Sequence, residues 1–180
     1  MTLKEYQVQA QRTCPSLENH KLDLCHMVLG IMSEEEELIQ AIVNNDIVGV
    51  GEEIIDAIWY LANYCTFRDY SLQELYNDRS NHELEYWENS ADINTVHLSK
   101  LQDYVKKFIA YNKPINNDKE KNSIKVILWS IDELLNMHEI DLETALQNNI
   151  DKLRVRFPDK FSETNALNRD LESERRELSK

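Results

Sequence analysis

An all-α fold follows from three features of the sequence. Only three glycines and three prolines interrupt 180 residues, so the chain lacks the punctuation of a turn-rich protein. Its apolar residues recur three and four apart, the period of a helix that buries one face. No stretch makes a convincing alternating strand.

The elements follow in order. A short helix spans about Leu3 to Thr13 and is ended by Pro15. A long amphipathic helix runs from about Asn19 to Asn44, with Leu24, Val28, Ile31, Leu38 and Ile42 on its apolar face. Asn44, Asn45 and Asp46 break it. A second helix, about Val48 to Phe67, carries Ile54, Ile55, Ile58, Trp59, Leu61 and Ala62. Residues 68 to 94 are polar and mixed, and read as a loop with one or two helical turns. A helix from about Val96 to Tyr111 then meets Asn112, Lys113 and Pro114, and a longer one covers about Asp118 to His138. Asp141 is placed to cap a helix from Leu142 to Arg156, because its side chain can accept a first-turn N–H. Pro158 stops that helix. The polar tail from Ser162 to Lys180 reads as a helical or mobile extension rather than core. The expected architecture is one helical bundle over residues 1–160 with a polar extension over 161–180.

Charge narrows the function. The formal net charge is -13, which opposes non-specific binding of nucleic acid. A small anionic substrate would need a metal ion or a local cluster of Lys and Arg. Cys14, Cys25 and Cys65 show no CxxC spacing, as expected of reduced thiols in the cytoplasm. The first residues lack an apolar signal core, and no segment approaches the roughly 20 apolar residues of a membrane span. No membrane partner is expected.

The acids carry the chemistry. Glu34 and Glu37 are three apart and share a helix face. Glu53 and Asp56 repeat that spacing on the next helix. The turn around Asn44 to Asp46 is short, so the two helices are antiparallel neighbours and the ExxE pair faces the ExxD pair. An ExxE alone is common on exposed helices. Four carboxylates in one place, however, repel and resist desolvation unless cations compensate them. All-oxygen ligation suits Mg²⁺, with Mn²⁺ as a substitute. Glu35 and Glu36 would then mostly face solvent. A di-iron site expects Glu-x-x-His on two helices; Asp23 with His26 comes closest, so iron ranks below magnesium. His26 stands two turns before Glu34, as a pocket residue or a satisfied histidine. Trp59, Tyr60 and Trp129 lie at helical spacing and read as core.

LCHMVLGIMSEEEELIQAI followed by GEEIIDAIWYLANY resembles the ExxE…ExxD core of MazG-like nucleotide pyrophosphohydrolases, members of the all-α NTP pyrophosphatase superfamily. IDLETALQNNIDKLRVRFPDKFSETNALNRD is similar to the tail of many such proteins. The resemblance implies Mg²⁺-dependent cleavage of a nucleoside triphosphate to a monophosphate and pyrophosphate, with a deoxynucleoside triphosphate as the expected substrate. It implies Glu34, Glu37, Glu53 and Asp56 as metal ligands. Glu34 and Glu37 are the catalytic candidates, Glu34 being a further ligand or the base that activates water. Asn63, seven residues after Asp56, returns to the same face as a candidate substrate contact.

The second half resembles a faded copy of the first. LSKLQDYVKKFIAYNKPI and IKVILWSIDELL align with the two site helices, Trp129 standing for Trp59. His97 and Lys100 then replace the ExxE acids, and Ser123 and Val126 the ExxD acids. The expected bundle is therefore two related helix pairs, a metal-binding pair over 19–67 and a degenerate pair over 95–140. Lys107 and Lys113 in that copy, and Lys152 and Arg156 in the tail match, are the candidate phosphate contacts. A homodimer or larger homo-oligomer is expected, in the cytoplasm of a bacterium or a phage-infected host. The alternative is a helical nucleotide-binding or interaction protein that keeps the shell without turnover.

Overall fold

The computed structural model describes residues 1–79 and 90–178, with side chains from Asn94 onward in the helix that begins at Ser90. All regular structure among them is α-helix: α1 (Leu3–Gln11), α2 (His20–Val43), α3 (Ile47–Phe67), α4 (Leu72–Asn77), α5 (Ser90–Tyr111), α6 (Asn117–Met137), α7 (Leu142–Arg156), α8 (Glu163–Leu167) and α9 (Leu171–Leu178). No helix is long and apolar enough to cross a membrane among the described residues.

Short polar side chains start the helices. Thr2 and Glu5 form a reciprocal capping box on α1. Asn19 accepts from Lys21 N and Leu22 N at the start of α2. Asp46 accepts from Gly49 N at 3.0 Å and starts α3, and Asp141 caps α7 as its spacing predicts. Between α2 and α3, Asn45 takes the left-handed conformation (φ 54°), which Asn tolerates better than most residues. The α2–α3 hairpin is the scaffold of the molecule.

The core lies around α3. Ile54, Ile55, Ile58, Leu61, Ala62 and Cys65 are buried against Leu24, Val28 and Ile31 of α2, with Leu3 and Tyr6 of α1 and Leu146 and Ile150 of α7 in the same cluster. The α5–α6 pair adds Leu101, Val105, Ile127 and Leu128. Gly30 of α2 lies directly against the Tyr60 ring of α3: a Cβ there would meet the ring at 2.1 Å. Only glycine admits the ring.

Several expectations need correction. Ile42 is exposed and Leu38 only half-buried, because near the turn it is Ala41 that α2 turns toward α3, 3.3 Å from where a Cβ on Gly49 would lie. Residues 90–94, read as loop, belong to α5, while Leu72–Asn77 forms α4 as the short helical turn expected between 68 and 94; 80–89 lie outside the described residues. Trp59 and Tyr60 are half-buried rather than core. The tail is helical but not detached. α9 packs on α7, Glu174 is buried, and Arg175 donates to both oxygens of Asp46 at 2.8 Å. Its charges are matched by partners, so a polar composition is compatible with docking.

In the α5–α6 pair, His97, Ser123 and Val126 are buried, and Lys100 Nζ lies 3.2 Å from His97 Nε2. His97 and Lys100 thus form a hydrogen-bonded pair on one face of α5.

Candidate metal centre

The α2–α3 turn sets the register of the acids. Glu37 stands seven residues before Asn44, and Glu53 seven residues after Asp46. With equal rise on both helices, the two reach the same height on the facing helices of the hairpin. Glu34 and Asp56 lie one turn further on. The structure brings Glu34, Glu37 and Glu53 together: one carboxylate oxygen from each lies within 4.8 Å of the others. Among the described residues no other acidic, His or Cys cluster converges in this way. Carboxylate oxygens alone make a donor set suited to hard divalent cations.

The three open onto a cleft of about 260 Å³. One wall carries these acids with Glu52 and Asp56; Trp59, Tyr60, Phe157 and Phe161 supply an aromatic lining, and Arg156 and Arg169 complete it. Trp59 Nε1 donates to Thr13 Oγ1 at 3.0 Å, and the Trp59 and Tyr60 rings meet edge to face at 4.9 Å. Arg12 holds the turn after α7 by donating to Phe157 O at 2.6 Å and Asp159 O at 2.7 Å. The first helix therefore braces the far wall. His26 also lines the cleft, and burial lowers its pKa against the pull of Asp23. Asp23 itself accepts from Leu17 N at 2.8 Å and anchors the loop before α2.

Crowding shows in the protonation of the acids. Burial, then the charges of Asp56 and Glu37, push Glu34 up to about 7. Burial, then Asp56 and Glu52, push Glu53 up to about 8. A raised carboxyl pKa means the folded chain favours the proton. This contribution is fully present below the ordinary value of 4.5 and is lost as pH rises through about 7 and about 8. Both groups are partly solvent-screened, so the effect is about 1 kcal/mol, or roughly 2–4 °C in Tm. In chelator, the melting temperature is expected to fall by that amount between pH 5 and pH 9. Added Mg²⁺ should raise it more at pH 9 than at pH 5, because ligands bind deprotonated. Scanning calorimetry checks this; a profile that is flat with and without Mg²⁺ would exclude a cation-compensated cluster.

Asp56 is handled differently. Lys152 Nζ donates to its Oδ1 at 2.8 Å and its Oδ2 at 2.6 Å, and Asn149 Nδ2 donates to Oδ1 at 2.6 Å. Tyr6 OH in turn donates to Asn149 Oδ1 at 2.8 Å. Lys152 also reaches Glu52 at 3.2 Å. Of the four expected ligands, three converge, while Asp56 borders the same cleft with both oxygens engaged from behind.

The expected substrate contacts divide. Arg156 lines the cleft. Lys152 does not; it is fully buried behind Asp56 and Glu52, since two acids compensate its charge there. Asn63 is buried away from the cleft lining and donates to Trp59 O at 3.0 Å, one turn back on its own helix. Lys107 and Lys113 line a separate hollow with Tyr104 and Pro114 at the α5–α6 turn, and Lys107 is paired with Asp103. Neither lysine is among the residues that line the acidic cleft.

Sequence reasoning missed Glu52, Arg169 and Glu174. Glu52 neighbours a recognised acid and carried no spacing signal. Arg169 lies inside the tail stretch NALNRD, whose polar composition pointed away from the core. Glu174 looks like any acid of a charged helix, yet it accepts from both arginines of the cleft. No family model matches the chain, and no curated protein or solved structure matches it.

Proposed function

We propose that the protein is a Mg²⁺-dependent nucleoside triphosphate pyrophosphohydrolase, with a deoxynucleoside triphosphate as substrate and a monophosphate and pyrophosphate as products. One observation carries the reading: Glu34, Glu37 and Glu53 converge in a cleft that also holds two arginines and an aromatic lining. Acids alone repel a triphosphate, and arginines alone would leave the acids without a purpose.

Glu37 and Glu53 would hold Mg²⁺, with Glu34 either a third ligand or the base. Mg²⁺ supplies charge neutralisation on the polyphosphate and a lower pKa for coordinated water. As the base, Glu34 would accept the proton as water adds to the α- or β-phosphorus and the bridging P–O bond breaks to release pyrophosphate. Asp56 is oriented by Lys152 and Asn149 and sustains the negative field. Arg156 meets the outer phosphates, and Trp59 with Tyr60 offers apolar surface to the base. The sequence likeness of IKVILWSIDELL to the second site helix supports α5–α6 as a worn second copy that serves as scaffold. Exposed Ile39, Ile42, Val43 and Ile47, at the α2–α3 end, offer an apolar edge for a homodimer or larger homo-oligomer.

One observation favours a second reading, a nucleotide-binding protein without turnover: Asp56 gives both oxygens to protein partners. Product analysis separates the two. Each canonical NTP and dNTP is incubated with Mg²⁺, with and without chelator. Monophosphate plus pyrophosphate from one nucleotide, lost on chelation, is the expected result. Orthophosphate and a diphosphate would place the cleavage elsewhere. Mg²⁺-dependent thermal stabilisation by a nucleotide without product would favour the binding-only reading.

A further inference from the structure

We propose that Glu174, on the C-terminal helix α9, is a positioning residue that holds Arg156 and Arg169 together as one clamp for the outer phosphates of the substrate. This inference rests on the nucleotide reading of the cleft and adds to it a role for the C-terminal segment.

Glu174 is buried and takes bonds from two guanidinium groups. Arg156 Nε donates to Oε1 at 3.0 Å, and Arg156 Nη2 pairs with Oε2. Arg169 donates to Oε2 from Nη2 at 2.9 Å and from Nε at 3.3 Å. Each guanidinium carries five N–H donors in a fixed plane. Here the Nε and Nη2 edge of each faces Glu174. Nη1 of each makes no hydrogen bond to the described residues, while both side chains line the cleft. The carboxylate thus fixes one edge of each fork and leaves the other edge for an oxyanion.

A merely structural ion pair needs one arginine. Two arginines on one carboxylate leave a net positive charge, and it borders the acidic wall. Without Glu174 the two cations would repel each other, and either could swing to Glu52 or Asp56. With it, they stay together on one carboxylate. The placement of α9 does not depend on Glu174 alone: Arg175 binds Asp46, and Leu178 enters a hollow with Ile47, Val48 and Ile140. A variant at Glu174 can therefore keep the helix docked.

The test uses the full chain with Glu174→Gln, Glu174→Asp, Arg169→Ala and Arg169→Lys. Three quantities are measured: KM and kcat on the nucleotide that the wild type cleaves, the inhibition constant of pyrophosphate, and the affinity for Mn²⁺ alone by calorimetry. Glu174→Gln keeps the shape and removes the charge. It is expected to raise KM and the pyrophosphate constant about tenfold or more, the effect of a weakened charge-assisted contact. The change in kcat should stay within about threefold, and Mn²⁺ affinity should not move. Glu174→Asp should recover part of the loss. Arg169→Ala should reproduce it, with Arg169→Lys in between. The double variant Glu174→Gln/Arg169→Ala should fall below Arg169→Ala by less than the full Glu174→Gln loss, because the acid acts partly through Arg169 and for the rest through Arg156. Unchanged KM and pyrophosphate inhibition in Glu174→Gln would overturn the proposal, as would an equal loss of Mn²⁺ affinity. Should Glu174→Gln not fold, unchanged constants in both Arg169 variants overturn it. A wild type that neither cleaves a nucleotide nor binds pyrophosphate instead refutes the nucleotide reading itself, and the proposal with it.

Discussion

Lys152→Met is expected to destabilise the metal-free protein by about 3–5 kcal/mol, the usual cost of leaving one partner of a buried pair uncompensated. For a chain of this length that is a fall in Tm on the order of 10 °C. The reason lies in what remains. Asp56 would keep only Asn149, and Glu52 would lose its cation, beside Glu34 and Glu53, which are already short of compensation. Methionine fills most of the lysine volume, so the loss reports charge rather than a cavity. Mg²⁺ should return part of it, because Asp56 becomes free to turn toward the ion. Chelator and Mg²⁺ melts of the same variant measure both effects. A Tm within a degree of wild type would show that Lys152 does not carry the field of the site.

The second large effect is on turnover. Glu53→Gln and Glu37→Gln are each expected to lower kcat by about 10³-fold or more, since charge stabilisation by a bound ion supplies several kcal/mol. Glu36, exposed on the same helix, is the control: Glu36→Gln should leave the rate unchanged. The stability of Glu53→Gln should move the opposite way. A carboxyl pushed up to about 8 is costly when ionised, so the neutral amide should raise the melting temperature in chelator at pH 9. Loss of activity with a gain of stability is the signature of a site held under strain. Full activity in either Gln variant would refute the metal-centre reading, and lower activity with lower stability would point to general damage.

The sequence showed more of the scaffold than of the cleft, for physical reasons. Helices α2, α3, α6 and α7 were legible because each has a strong apolar period and a short polar cap, and both are local signals. The facing acids were legible for the same reason: the seven-residue offsets on either side of the α2–α3 turn fix their register. Partners across the molecule were not. Lys152 read as a phosphate contact because a single residue carries no sign that two acids of its own chain already hold it. Asn63 lay on the right face by period, but the helix buries that part of its face. Lys107 and Lys113 looked promising in a presumed copy, while they line a separate hollow. The role of the tail was hidden because pairing among charges, unlike burial of apolar residues, has no period to read.

The cleft is assembled from Thr13 at one end of the chain to Arg169 near the other. Its contacts are therefore long-range, and they close only once nearly the whole polypeptide is available. During synthesis the α2–α3 hairpin leaves the ribosome with its acids in place well before Lys152 exists. The nascent chain must carry that unneutralised charge in the interval, and the hairpin can settle fully only when α7 arrives with its buried lysine.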